Sequence, residues 1–173
     1  MPHKIQRPNP GDYPEYYEQY VDLIPDVNII TYLDQQKKEV SDFFREMTDS
    51  QLNYRYAEDK WSIRDILKHI IDSEQVFAYR ALCISRKEKI SLPGFDQDSY
   101  VANSNADTLS KSDLLNEFLL LRAFNIQMFR NFDDKMWNLK GVANNLGLQV
   151  RAIPFIIAGH LDHHLQVINS KYL

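Results

Sequence analysis

Apolar residues recur every three or four positions in four segments of the chain, which is the spacing of amphipathic helices. The alternation of apolar and polar residues that is typical of half-buried strands is scarce. The segments begin after Asp26 or Asn28, at Ser62, after Thr108 or Ser110, and near Ala152. Ser62 together with Asp65 forms the pattern of a capping box. The sequence therefore predicts an all-α protein, and a four-helix bundle is the favoured architecture.

The segments that connect these helices carry turn-forming residues. Five of the seven prolines lie in residues 1–25, so this part is expected to be an extended lead-in that drapes over the bundle. Its tyrosines are expected to pack across the bundle or across a partner subunit: Tyr13, Tyr16, Tyr17 and Tyr20. Residues 92–105 predict a long loop, and residues 133–149 another connection with a short strand or turn. We interpret residues 1–173 as a single domain.

Charge and cysteine usage limit the function classes. The 20 basic and 24 acidic side chains give a net charge of −4, which provides no general attraction to nucleic acid or to an anionic membrane. The longest apolar run covers residues 153–159, far fewer than the roughly 20 residues that cross a bilayer. The single cysteine, Cys83, excludes an internal disulfide and fits a reducing compartment. We expect a cytoplasmic protein without nucleic-acid or membrane partners.

Three histidines are the candidate metal ligands. His160 and His164 are four positions apart, so on a helix they share one face and lie about 6 Å apart along the axis. Isoleucines occupy the same face, which directs both imidazoles into the bundle. Buried imidazoles are unfavourable unless their nitrogens find partners, and a divalent metal provides one. His69 on the second helix is the only plausible third histidine.

Three histidine ligands would leave a coordination position open, as in catalytic rather than structural metal sites. The alternative is that these are core or rim histidines with ordinary hydrogen bonds. His163 projects about 100° away from His164, so it is expected at the surface or next to the ligands rather than as a ligand itself. Asp162 lies opposite His160 and is expected to be a solvated charge, while His3 has no helical context. Cys83 is expected to be a packing residue.

Two buried charges require partners. Glu74 and Arg122 fall within the apolar stripes of the second and third helices, and we predict that they pair across the bundle, with Arg80 as a second candidate partner of Glu74. Asp65 lies one turn before His69, so it either accepts a hydrogen bond from that imidazole or only caps the helix. Three aromatic residues are candidates for the pocket lining, but we interpret them as structural: Trp61, Tyr79 and Phe95.

Several separated blocks carry a family resemblance. They are KWSIRD at 60–65, HIIDSE at 69–74, FAYR at 77–80, LPGF at 92–95 and PFIIAGHLDHH at 154–164. In this order they resemble the DinB-like superfamily, particularly its YfiT-like branch. The resemblance implies an up-down-down-up four-helix bundle in which His69, His160 and His164 hold a divalent metal. Members of the family are described as metal-dependent hydrolases, and some relatives transfer a low-molecular-weight thiol such as bacillithiol, mycothiol or glutathione.

One position departs from the family pattern. Leu161 stands where glutamate is frequent after the first histidine of the pair, which puts carboxylate-assisted proton transfer in doubt. The same leucine argues against the mechanism of His-Glu-x-x-His zinc proteases. We expect a hydrolase or thiol transferase that acts on a small molecule, with zinc or nickel as the first candidates and iron or copper as others. The family also makes a homodimer plausible. The alternative is a noncatalytic metal-binding or interaction bundle.

Overall fold

The computed structural model describes residues 5–173, so His3 lies outside the described residues. The four long helices are α2 (Ile29–Arg45), α4 (Ile63–Ser85), α6 (Lys111–Arg130) and α8 (Ala152–Lys171). Short helices are α1 (Glu18–Val21), α3 (Asp49–Asn53), α5 (Gln97–Ala102) and α7 (Asp134–Trp137), with 3-10 turns at Glu15–Tyr17 and Ala106–Thr108. Strands β1 (Lys140–Ala143) and β2 (Leu146–Gln149) form an antiparallel hairpin in which Lys140 lies opposite Gln149. The prediction of four long helices is confirmed.

Side-chain caps fix where three of the long helices begin. The Asn28 side chain accepts hydrogen bonds from the first turn of α2. Ser62 and Asp65 form the reciprocal capping box at the start of α4, and the Ser110 hydroxyl accepts from the backbone of Asp113 in α6. Local sequence therefore determines these boundaries.

The direction of α6 relative to α4 follows from two contacts. Lys68 lies 2.7 Å from Glu117, and further along both helices Glu74 lies 2.8 Å from Arg122. Because the contacting positions advance together, α4 and α6 run parallel. The long connection between them crosses the length of the bundle.

The remaining directions follow in the same way. Lys111 at the start of α6 donates to the carbonyl of Met47 just after α2, so these two helices are antiparallel. Tyr172 just after α8 donates to the carbonyl of Trp61 just before α4, so that pair is antiparallel as well. The helices pack around the bundle in the order α2, α6, α4, α8. The up-down-down-up topology is confirmed.

The core consists of two apolar clusters separated by a polar layer. The cluster at one end includes Leu33, Phe77, Phe129 and Phe155. The cluster at the other end includes Phe44, Leu67, Phe118 and Leu161. Between them lie four buried polar residues, which we call the central polar layer: Gln36, Glu74, Arg122 and Asn125. The three histidines lie on the α4 and α8 helices beside this layer.

The connecting segments are more structured than the sequence suggests. The lead-in is not extended throughout, because a 3-10 turn follows Pro14 and leads into α1. The loop at 92–105 contains α5, which Asp96 caps. The 133–149 connection contains α7, which Asp133 caps, and the β1–β2 hairpin, where a short strand or turn was expected. In the part of the chain that the structure describes, no helix has the length and apolar character that a membrane crossing requires.

Candidate metal centre

The histidines that the sequence singles out converge between α4 and α8. Nε2 of His160 lies 3.0 Å from Nε2 of His69 and 3.1 Å from Nε2 of His164. The ligating atoms of all three residues lie within 4.8 Å of one another. The antiparallel packing of α4 against α8 brings His69 to the pair, and the helical spacing of four positions aligns the pair itself.

The geometry of these nitrogens suits one cation. Two nitrogen ligands at about 2.0–2.1 Å from a zinc ion lie about 2.8–3.4 Å apart when the angle between the bonds is about 90–109°. Hydrogen bonds among the imidazoles cannot satisfy these nitrogens equally well, because a single imidazole nitrogen either donates one hydrogen bond or accepts one. Nε2 of His160 faces two other Nε2 atoms at once. A metal ion bound by all three lone pairs would satisfy these three nitrogens.

Burial keeps the imidazoles neutral, which is the form that binds metal. Desolvation lowers the pKa of His69 to about 4. Desolvation, together with the nearby His69 and His163, lowers the pKa of His164 to about 3. Desolvation also lowers the pKa of His160 well below its ordinary value, with further contributions from the neighbouring histidines. Protons therefore compete weakly with a metal ion at neutral pH.

Asp65 does not form the hydrogen bond to His69 that the sequence allowed. Its carboxylate accepts from the backbone of Ser62 and lies 2.7 Å from the Arg55 guanidinium, so it caps and anchors the start of α4. The Oγ of Ser73 instead lies 3.4 Å from Nδ1 of His69. That hydroxyl can accept the Nδ1 proton and leave Nε2 free to ligate.

Aromatic residues shape the surroundings of the cluster. The rings of Trp61 and His69 have centroids 4.7 Å apart, and the ring of Tyr20 stands edge-on to His160 at 5.3 Å. A small pocket of about 160 Å³ opens beside His69 and His160. Its other walls are Tyr16, Tyr17, Tyr20, Ser73, Phe77, Phe95 and Gln97. The site is thus accessible to a ligand through a mostly aromatic entrance.

The lead-in forms one wall of this pocket because of a glycine. A Cβ at Gly159 would lie 1.9 Å from the carbonyl oxygen of Tyr20, so only glycine allows α1 to pack this closely on α8. Tyr20 and Tyr17 therefore pack on the bundle, which was one of the two expectations for the tyrosines, whereas Tyr16 is 62% exposed. Phe95, interpreted as structural from the sequence, also lines the pocket, whereas Tyr79 is 54% exposed.

Two neighbours of the histidine pair behave differently from each other. Asp162 is not a solvated charge: its carboxylate accepts hydrogen bonds from Tyr32 at 2.8 Å and from Gln36 at 2.6 Å. The reason is that α2 packs on this side of α8, and the burial raises the pKa of Asp162. His163 is partly exposed and does not belong to the ligand cluster, although its ring lies 5.4 Å from that of Tyr20.

Glu74 and Arg122 meet in the central polar layer. Nε of Arg122 donates to both carboxylate oxygens of Glu74 at 2.8 and 3.0 Å, and Asn125 donates to the same carboxylate. Nη1 of Arg122 donates to the side chain of Gln36. Arg80 does not contact Glu74; its guanidinium reaches a backbone carbonyl in the loop after α4.

Comparison with known proteins supports the resemblance in sequence. YfiT from Bacillus subtilis, described as a probable metal-dependent hydrolase with an unusual four-helix bundle topology, has a similar structure with a TM-score of 0.76. The two chains are 18% identical, and the match covers 85% of this chain and 87% of YfiT. No curated protein sequence matches significantly. Residues 32–168, which include all four long helices except the ends of α2 and α8, match the DinB superfamily. The chain therefore belongs to the DinB superfamily.

Proposed function

We propose that this protein is a divalent-metal-dependent enzyme that acts on a small molecule, with His69, His160 and His164 as the metal ligands. The convergence of three Nε2 atoms beside an accessible pocket is the observation that carries the proposal. Three protein ligands leave room for an exchangeable one, as catalytic sites require. A bound divalent cation would act as a Lewis acid and lower the pKa of a coordinated water or thiol.

Hydrolysis and thiol transfer remain the two candidate reactions, and different observations favour each. The likeness to YfiT supports hydrolysis, because that protein is described as a probable metal-dependent hydrolase. The lining of the pocket supports thiol transfer, because its described residues include no carboxylate that could accept a proton. Leu161, beside the first ligand of α8, is fully buried and offers none either.

The tyrosines of the pocket are suited to donate rather than to accept protons. The hydroxyls of Tyr16 and Tyr20 lie 3.3 Å apart, and burial together with this contact raises the pKa of Tyr20. A neutral phenol at the pocket wall can donate a hydrogen bond to a polar group of a substrate. We assign Tyr16 and Tyr20 to substrate binding, and the surrounding aromatic rings to the exclusion of water.

Metal content tests the ligand assignment. Three imidazoles accept zinc, nickel, iron or copper, and we expect zinc or nickel first. Protein purified without an affinity metal should contain about one equivalent of metal per chain by elemental analysis. His160→Ala should lose it, whereas His163→Ala, which changes the adjacent histidine outside the cluster, should keep it. Full metal content in His160→Ala would overturn the assignment.

Activity screens then distinguish the reactions. Metal-loaded protein is assayed against a panel of esters and amides without thiol, and against electrophiles with glutathione, bacillithiol or mycothiol. Product formed only with thiol supports transfer, and product formed without thiol supports hydrolysis. Either activity should disappear in His160→Ala. Metal binding without turnover of either kind would favour the noncatalytic alternative. Light scattering at several concentrations tests the homodimer that the family makes plausible.

A further inference from the structure

A second cavity lies next to the histidine pocket. It has a volume of about 320 Å³ and lies between α4 and the loop that leads into α5. Its walls include Val76, Tyr79, Arg80, Pro93, Phe95 and Tyr100. Phe95 borders both cavities, so they are neighbours.

Arg80 is a buried cation at this cavity without an anionic partner. Only 2% of the surface of this residue is exposed. Nη2 donates to the carbonyl of Pro93 at 2.9 Å, and the guanidinium lies 5.4 Å from the centre of the Phe77 ring. Nε has no hydrogen-bond partner, and no carboxylate among residues 5–173 pairs with Arg80.

Arg122 shows what a buried arginine in this bundle otherwise requires. Its Nε is held by two oxygens of Glu74, so its charge is neutralised inside the protein. A buried guanidinium that lacks such a partner is unfavourable, and an anionic ligand would compensate it. The contrast therefore indicates that the partner of Arg80 comes from outside the chain.

The position of Arg80 relates the two cavities. It follows His69 by eleven residues on α4, which places it roughly 16 Å along the helix and about 20° around it. The two residues thus share one face of α4. Phe77 lines the histidine pocket between them. One elongated molecule lying along α4 can reach both sites.

We propose that Arg80 binds the carboxylate of an elongated small-molecule substrate whose reacting end lies at the three histidines. The inference rests on the proposed function and names its ligand class. A planar guanidinium with free donors suits a carboxylate, and the aromatic and aliphatic walls suit an apolar body next to it. Phe95 sits where the ligand passes from one cavity to the other.

Calorimetric titration of the metal-loaded protein with 4-phenylbutanoate tests the anion site. Its uncharged counterpart, 4-phenylbutanamide, reports binding by the apolar walls alone. We expect Arg80→Gln to weaken binding of the acid by about 10- to 100-fold and to leave binding of the amide nearly unchanged. Arg86→Gln is the matched control, because this arginine follows α4 immediately but does not line the cavity. Equal loss in both variants, or none in Arg80→Gln, would overturn the proposal.

Two further variants show whether a loss of binding reflects the anion site or misfolding. Arg80→Lys keeps the charge and should bind the acid more tightly than Arg80→Gln. Val76→Trp fills the cavity without altering Arg80, and it should abolish binding of both probes. If Val76→Trp binds the acid as well as the unaltered protein does, the cavity is not the site.

Metal-free protein separates this proposal from the proposed function. His160→Ala should lose metal and still bind 4-phenylbutanoate with an Arg80-dependent affinity. Binding that disappears in His160→Ala but survives in Arg80→Gln would mean that the carboxylate binds the metal, which contradicts the anion site and leaves the metal assignment intact.

The direction of the ligand has its own measurement. In protein loaded with cobalt(II), the phenyl protons of bound 4-phenylbutanoate should relax faster than its methylene protons, because the phenyl end points towards the histidines. Faster relaxation of the methylene next to the carboxylate would refute this orientation.

Discussion

Two groups of buried polar residues lie side by side in the bundle, and they are completed in different ways. In the central polar layer, Glu74 and Arg122 neutralise each other, Asn125 donates to Glu74 and Gln36 accepts from Arg122, while Nη2 of Arg122 has no hydrogen-bond partner. In the histidine cluster, by contrast, Nε2 of His160 lies 3.0 Å from Nε2 of His69 and 3.1 Å from Nε2 of His164. The charges of the first group are neutralised within the chain, whereas in the proposed function a divalent cation completes the second.

Because of this difference, the two groups contribute to stability in different ways. A closed ion pair affects stability through the charge that remains when one partner is removed, and it needs no accessible surface. An open ligand cluster stabilises the folded state through the metal that it binds, by an amount that grows with the logarithm of the free metal concentration above its Kd, and it requires a pocket. Variants in the two groups should therefore change different measured quantities.

Removal of Arg122 should have the largest effect. Arg122→Met leaves the Glu74 carboxylate buried without a counter-charge, so we expect unfolding free energy to fall by about 3–5 kcal/mol. Urea denaturation of metal-free protein measures this loss.

The double variant Glu74→Gln with Arg122→Met is the control for that experiment. It removes both charges, so it should be more stable than Arg122→Met alone. Should the double variant lose as much stability as the two single variants together, the pair would not be coupled, and the closed character of the layer would be refuted.

Removal of a histidine should act through the metal. When free metal exceeds its Kd about 100-fold, binding stabilises the folded state by about 2.7 kcal/mol. We expect zinc to raise the melting temperature of the unaltered protein and of His163→Ala, but not that of His164→Ala. Calorimetric scans with and without zinc measure the difference. An equal rise in His164→Ala would show that the cluster is not the binding site.

The long helices and the paired histidines of α8 could be predicted because both depend on local spacing. Asn28, Ser62 and Ser110 cap the helices through atoms within three residues of themselves. The pair His160 and His164 is fixed by helical periodicity. Which helix supplies the third histidine is a tertiary question, but the chain offers few candidates, so elimination was sufficient.

The surroundings of the site could not be predicted because they depend on which helices are neighbours. Asp162 lies opposite the histidines on α8 and looked solvated, yet α2 covers it and supplies Tyr32 and Gln36 as donors. Asp65 and Ser73 lie one turn before and after His69, and spacing alone does not decide between them. Short helices such as α1 and α5 lack the repeated apolar positions that reveal longer ones.

The contact of α1 with α8 encloses one side of the histidine pocket, and a substitution at Gly159 tests this enclosure. Alanine is the better helix former at Gly159, but its Cβ would collide with the backbone of Tyr20, so we expect Gly159→Ala to lower unfolding free energy by about 1–2 kcal/mol in total. The rate of amide hydrogen exchange should increase most in α1.

Gly147→Ala is a matched control for this change. No heavy atom lies within 4 Å of the position of its Cβ, so stability should change by less than about 0.5 kcal/mol. A Gly159→Ala protein as stable as Gly147→Ala, with unchanged exchange in α1, would mean that the lead-in does not form a tightly packed wall of the pocket.

The smallest effects should separate the two neighbours of His69. Asp65→Ala removes a helix cap, so it should lower unfolding free energy by about 1 kcal/mol and leave zinc affinity unchanged. Ser73→Ala should do the reverse: it frees Nδ1 of His69 from its hydroxyl partner, and the loss of such a partner typically weakens metal binding by about 10-fold or more. Competition with a chromogenic zinc chelator measures both affinities. If Asp65→Ala weakened zinc binding and Ser73→Ala did not, the carboxylate, rather than the hydroxyl, would be the group that orients the imidazole.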